Sequence, residues 1–122
     1  MNKETIFQAY LLSALWSSTD IDSDNFLDAT HGIEDIDDNT LSKMREAVYK
    51  FIDENYTDIT AFNIETETDL EQVGHSLWLN SNGHGSGFFD WFGDAADALN
   101  EAANKVPSFQ LYIGDDNKIY SL

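Results

Sequence analysis

His75-Ser-Leu-Trp-Leu-Asn80, then Ser81-Asn-Gly-His-Gly-Ser-Gly87, then Phe88-Phe-Asp-Trp91: on these residues turns the choice between a mixed fold and an all-helical one. Two short apolar runs flanking a glycine-rich turn read as paired strands. The glycines supply the positive φ that a tight turn needs. Residues 75–80 and 88–91 are therefore expected to form a β-hairpin. A second hairpin is expected at 109–113 and 118–122, across Gly114-Asp-Asp-Asn117. Between the two, residues 90–105 read as a helix that Pro107 stops.

Upstream, residues 3–17 are apolar nearly all round (Ile6, Phe7, Leu11, Leu12, Leu15, Trp16), which predicts a largely buried helix. Asp38 or Asn39 can cap another helix running to about Asn55, with Leu41, Met44, Val48, Phe51 and Ile52 on one stripe. Residues 18–38 read as a long acidic loop with a short extended or helical piece near 33–36. Residues 56–74 fit no single element, although Asp69 can cap a short helical turn ending at Gly74. The predicted class is α+β: one globular domain over 1–122, N-terminal helices followed by two β-hairpins separated by a helix, with a small antiparallel sheet.

Charge dominates the composition. Six Lys+Arg stand against 23 Asp+Glu, a formal net charge of −17 on 122 residues. No lysine or arginine lies between Lys50 and Lys105, where eleven acids fall, and eight more acids lie in 20–38 without one. Self-repulsion on this scale opposes folding, so a role outside the fold is expected for it. Sixteen aromatic residues exclude a disordered acidic tail. The absence of cysteine excludes a disulfide scaffold and thiolate zinc sites, and fits a reducing cytoplasm. The first helix is too interrupted by Glu4, Gln8 and Tyr10 to read as a signal peptide. An anionic surface repels lipid headgroups and nucleic acid alike, so neither a membrane nor direct DNA binding is expected. The complementary partner is basic.

At about 100° per residue, Asp90, Asp94, Asp97 and Glu101 fall within a sector of about 60°. Phe92, Ala95, Ala96, Leu99, Ala102, Ala103 and Val106 occupy the other side. That pattern predicts a carboxylate ridge opposite a small-residue core face; an ordinary solvated helix face is the plainer reading. Glu65, Glu67, Asp69 and Glu71 alternate, and an extended run would place them on one side about 6.6–6.8 Å apart. Asp20, Asp22, Asp24, Asp28, Glu34, Asp35, Asp37 and Asp38 add the loop acids. Rows of anions resemble the phosphates of a strand, which present one charge per about 3.4 Å of axis.

Two other patterns carry chemistry. Asp20-Ile-Asp-Ser-Asp-Asn25 resembles a calcium loop, but Asn25 stands where the EF-hand glycine belongs and His31 where its bidentate glutamate is needed. His75 and His84 would come together across the first hairpin with Asp90 nearby, giving three candidate zinc ligands or an acid–base pair, and Trp78 and Asn82 complete the possible hairpin site. A tight turn and a hydrogen-bonded histidine explain the same residues without chemistry. The turn is neither a dinucleotide fingerprint nor a nucleophile elbow.

Ala14-Leu15-Trp16-Ser17-Ser18, Leu27-Asp28 and Ile33-Glu34-Asp35-Ile36 form the first part of a wider pattern. Gly74-His75-x-x-Trp78-Leu79-x-x-Asn82-Gly83-His84-Gly85-x-Gly87-Phe88-x-Asp90, Tyr112-x-Gly114-Asp115-Asp116 and Ile119-Tyr120 complete it. In this order they resemble a group of small accessory proteins of tailed bacteriophages, which implies a phage source and action in the host cytoplasm. In composition alone the chain is similar to phage DNA mimics that block restriction, CRISPR or repair enzymes.

Source and charge together predict a non-enzymatic inhibitor, of anti-restriction or anti-CRISPR type, without cofactor or metal. Its expected partner is a basic host protein that normally binds DNA or RNA. Two alternatives stand beside it: a small metal-binding or hydrolytic protein using residues 74–90, and a structural or assembly protein, including a homodimer.

Overall fold

Asn2 offers a side-chain oxygen to the backbone N–H of Thr5 at 3.2 Å and so starts the first helix, α1 (Lys3–Ser17). The computed structural model describes residues 1–20, 22–83 and 86–122. Ile6, Phe7, Tyr10, Leu11, Ala14 and Leu15 are buried as the sequence predicts, whereas Leu12 and Trp16, one turn apart, remain exposed. Asp37 caps α2 (Asp38–Glu54), its carboxylate accepting from the N–H groups of Asn39 and Thr40. Met44, Val48, Phe51 and Ile52 form the buried stripe expected of α2.

Residues 56–74 divide between two helices, α3 (Tyr56–Thr66) and the start of α4 (Leu70–Ser81). Glu67 ends α3 at φ 56°, and Asp69 caps α4 by accepting from Gln72 N at 3.1 Å. The alternating acids are consequently not an extended row. Glu65 ends on α3, Glu67 and Asp69 lie in the connection, and Glu71 is in the first turn of α4.

The first expected hairpin is the main correction. Residues 75–80 belong to α4, where Val73, Gly74, Ser76, Leu77 and Trp78 are buried. Counted from Leu70, the inward residues Val73, Gly74, Leu77 and Trp78 follow i+3, i+4, i+7 and i+8, a helical period. Phe88–Asp90 is a single 3₁₀ turn, not a strand, because the Asp90 carboxylate accepts from Gly87 N at 3.1 Å and from Ser86 Oγ at 2.7 Å. Helix α5 therefore begins late, at Asp94–Ala103, after Gly93 at φ 122°. That geometry leaves Asp90 off the helix and Phe92 off the core face.

The C-terminal hairpin forms as expected. β1 (Leu111–Ile113) pairs antiparallel with β2 (Ile119–Ser121), with Tyr112 opposite Tyr120. The class is thus α+β, five helices with a small two-stranded sheet. One apolar cluster joins α1, α2, α3, α4, α5 and both strands, through residues such as Tyr10, Val48, Phe62, Leu77, Leu99, Leu111 and Ile119. Phe88 extends it by stacking on Phe51 (6.1 Å) and meeting Phe62 edge-on (5.3 Å). Among the described residues no helix is long and apolar enough to cross a membrane.

The most extensive helix contact is between α1 and α4, and it closes at Gly74. A Cβ there would sit 2.3 Å from Ile6 O and 2.7 Å from Ala9 Cβ. Gly74 is therefore a point of backbone approach, not a helix end. Gly74→Ala is expected to lower unfolding free energy by about 1–3 kcal/mol through overpacking. Gly83→Ala, at φ +68° with none of the described residues within 4 Å of the added carbon, should lose only about 1 kcal/mol through backbone strain. Urea unfolding of the two variants checks this; equal losses would remove Gly74 from its special place.

Candidate functional site

A carboxylate on a protein surface caps a backbone N–H, pairs with a cation or is left to solvent. Of the acids singled out in the sequence, Asp20, Asp35, Asp37, Asp69 and Asp90 do the first. Asp20 accepts from Asp22 N (3.2 Å) and Ser23 Oγ (3.0 Å), and Asp35 from Gly32 N (2.8 Å). Hydrogen bonds from the Ser86 hydroxyl and then from Gly87 N hold Asp90 below the usual aspartate range. Asp22, Asp24, Asp28, Glu34, Asp38, Glu65, Glu67, Glu71, Asp94, Asp97 and Glu101 have neither a side-chain hydrogen bond nor an ion pair among the described residues. All eleven are exposed.

Of the six cations, Lys118 stands beside Asp116 on the terminal hairpin, and the other five are placed as follows. Lys3 pairs with Asp53 and Arg45 with Glu4, both acids outside the set above. Lys43, Lys50 and Lys105 line a single groove beside Phe51, Pro107 and Phe109. None of these lysines neutralises the ridge or the acidic loop.

On α5, Asp94, Asp97 and Glu101 are exposed while Ala95, Ala96, Leu99 and Ala103 are buried. The ridge expected from helical spacing is thus present in shortened form, without Asp90. Asp94 and Asp97 stand in the first turn, where the helix dipole favours anions. Part of their value is therefore to α5 itself. Glu65 joins them from α3: its Oε2 is 3.0 Å from where a Cβ on Gly93 would stand. Glu67 and Asp69 lie in the α3–α4 connection and Glu71 in the first turn of α4.

Two aromatic side chains lead into this edge, Phe89 at 50% exposure and Phe92 at 93%. Helical spacing places Phe92 on the core face; Gly93, the break in helical geometry immediately after it, is the signal against that placement. Trp78, which the sequence places in the possible hairpin site, is 1% exposed and contributes to the core instead.

The 20–38 loop is held at several points. Thr19 bridges Phe26, Leu27 and Ile36 are buried, and Asp37 N donates to Ile119 O at 2.9 Å. Two 3₁₀ turns, Leu27–Ala29 and Ile33–Asp35, punctuate it. The piece near 33–36 is the helical one of the two forms expected.

The expected histidine hairpin comes apart into structural contacts. His75 lies mid-helix on α4, its Nδ1 hydrogen-bonded to Ser13 Oγ of α1. Ser13 is fully buried and His75 half-buried, so the pair ties α4 to α1. Trp78 Nε1–H donates to Ser17 Oγ at 2.6 Å. Asn82 Oδ1 accepts from Phe109 N at 2.7 Å and its Nδ2 donates to Trp78 O at 2.9 Å, so Asn82 ties the end of α4 to the approach of β1. His84 lies outside the described residues. Among the described residues no group of three or more His, Cys, Asp or Glu is arranged to hold a metal ion. In the calcium-like loop the Asp20 carboxylate closes its own turn.

One carboxylate is strongly perturbed. Glu4 accepts from Arg45 Nη1 and from Tyr49 Oη (2.7 Å), while the Arg45 guanidinium lies over the Phe7 ring at 4.5 Å. These hydrogen bonds, that of Arg45 first, bring the Glu4 pKa down to about 2.

Compared with protein-family models, with curated proteins and with solved structures, the chain finds no match.

A depressed carboxylate pKa contributes stability above the ordinary value and loses it as pH falls toward the folded one. The Glu4 side chain is 44% exposed, so solvent screening holds the contribution to about 1 kcal/mol or less. Glu4→Gln should therefore be slightly less stable than the wild type at pH 7. The gap should close as pH falls from about 4.5 toward 2. Urea unfolding at a series of pH values checks both the size and the direction.

Proposed function

We propose that this chain is a phage-encoded inhibitor that acts in the host cytoplasm by occupying the nucleic-acid groove of a basic defence or repair protein, in the manner of anti-restriction or anti-CRISPR proteins. What carries the reading is the set of eleven exposed carboxylates without a cationic partner among the described residues. Solubility alone asks for less charge and for both signs interspersed.

The α5 ridge from Asp94 to Glu101 spans seven residue steps, about 10 Å of helix axis. A nucleic-acid strand places about three phosphate steps in that length. Glu65 widens the ridge at its start, and Asp22, Asp24, Asp28, Glu34 and Asp38 offer further anions from the loop. Phe92 and Phe89 supply the apolar contact that fixed charge cannot, and exposed aromatic side chains are frequent anchors of interfaces. No enzymatic step, cofactor or metal is needed for this role.

Self-association is the second reading, favoured by the exposure of Ile64 at 74% together with Phe92. Size measurement of the purified chain at low and high salt separates the two, since mutual repulsion opposes assembly most at low salt.

The test of inhibition by mimicry is capture of host protein on immobilised chain. Binding of a nucleic-acid-binding partner should fall about tenfold or more between 50 and 200 mM NaCl. Asp94→Lys with Asp97→Lys should weaken capture about tenfold or more, by reversing two contacts at the ridge. Glu46→Lys with Asp115→Lys, the same change in net charge at other exposed positions, should weaken it far less. Equal losses from the two pairs would reduce the ridge to undirected charge.

A further inference from the structure

The exposed edge of α1 faces the acidic loop across a groove of about 500 Å³. Its apolar walls are Leu12, Leu15, Trp16 and Ile33, and Asp28, Glu34, His31 and His75 also line it. Leu12 is 51% exposed and Trp16 44%, so an apolar strip is open to solvent beside two acids that have no cation of their own among the described residues. The rest of α1 buries its large apolar side chains, apart from Met1 just before the helix. A helix that packs so completely elsewhere leaves this strip uncovered.

We infer that this groove is the socket for an arginine side chain carried on the basic partner. The inference rests on the reading that the partner is basic, and it gives that partner a specific anchor.

Three features of the groove match one side chain. Arginine carries an aliphatic stem, which can lie along Leu12, Leu15 and Ile33. Its planar guanidinium stacks on an indole face, here that of Trp16, more favourably than a hydrated ammonium does. Its fork of N–H donors pairs with carboxylates, here Glu34 and Asp28. A second copy of this chain is a poor occupant, because it would bring its own surplus of acids against these two.

The sequence also makes room for the Glu34 head group. A Cβ on Gly32 would stand 2.6 Å from both Glu34 carboxylate oxygens. The backbone of Gly32 has φ −121°, which any residue adopts. Gly32→Ala therefore displaces the carboxylate without straining the main chain. It disturbs the socket while leaving net charge unchanged.

Nona-arginine and nona-lysine peptides are suitable probes, titrated at 50 mM NaCl by calorimetry and by tryptophan fluorescence. The wild type should bind the arginine peptide about threefold or more tightly than the lysine peptide. Trp16→Ala, Glu34→Gln and Gly32→Ala should each weaken the arginine peptide about fivefold or more and erase the preference. Asp94→Asn with Asp97→Asn removes two charges far from the groove in sequence and should leave the preference intact.

Retention of the preference in Trp16→Ala would overturn the socket. So would losses that follow net charge alone, with Gly32→Ala silent and the double ridge variant the weakest binder. In both cases the basic-partner reading would still stand. If the wild type holds neither peptide, socket and basic partner fail together.

Discussion

Helices α1 and α4 can touch backbone to backbone because position 74 has no side chain. Around that contact the rest of the molecule takes its place. Ser13 meets His75 and Ser17 meets Trp78 across the same interface, so polar groups that burial would penalise find partners there. The far end of α4 then carries two asparagines that organise the C-terminal part of the chain. Asn80 Oδ1 accepts from Phe88 N at 3.0 Å, and Asn82 holds Phe109. In this way one glycine sets the position of the Phe88–Asp90 turn, the start of α5 and the approach to the hairpin.

The acids of this chain serve two masters. Some are the local grammar of the fold: Asp37 and Asp69 begin helices, Asp35 and Asp90 close 3₁₀ turns, and Glu4 clamps α1 to α2 through Arg45 and Tyr49. Eleven others, spread over the 20–38 loop, the end of α3, the start of α4 and the outer side of α5, have no such task among the described residues. Their mutual repulsion works against the compact state, and five of the six cations that could relieve it are tied up in two ion pairs or gathered in one groove, while Lys118 stands beside Asp116. Because a lysine on α5 would stabilise the helix face, its absence there is informative. The same economy leaves Phe92 and the Leu12–Trp16 strip bare beside the carboxylates.

The strongly periodic elements could be read from the sequence. α1, α2 and the terminal hairpin fall where apolar spacing and turn residues put them, with ends differing by a residue or two. The failures share one cause, which is long-range packing. Gly74 looks like a helix end in sequence because its role is visible only once Ile6 and Ala9 are beside it. Starting from His75 hides the helical period that runs from Leu70, and Leu77-Trp78 then resembles a strand. Asp90 fits the α5 ridge by angle, yet its carboxylate is taken by Gly87 and Ser86, and Gly93 moves the start of the helix. The histidine constellation depends wholly on the misread hairpin. Glu65 and Asp94 are 29 positions apart in sequence and come together only through α3–α5 packing.

What the unpaired carboxylates do is decided by whether they compete with phosphates for the same groove. The direct measurement is displacement: labelled duplex DNA is bound to the captured host protein, and this chain is titrated in at constant ionic strength. Mimicry predicts that DNA leaves in proportion to the chain bound, with no complex containing all three. A stable ternary complex, with the DNA still held at saturating chain, would contradict it.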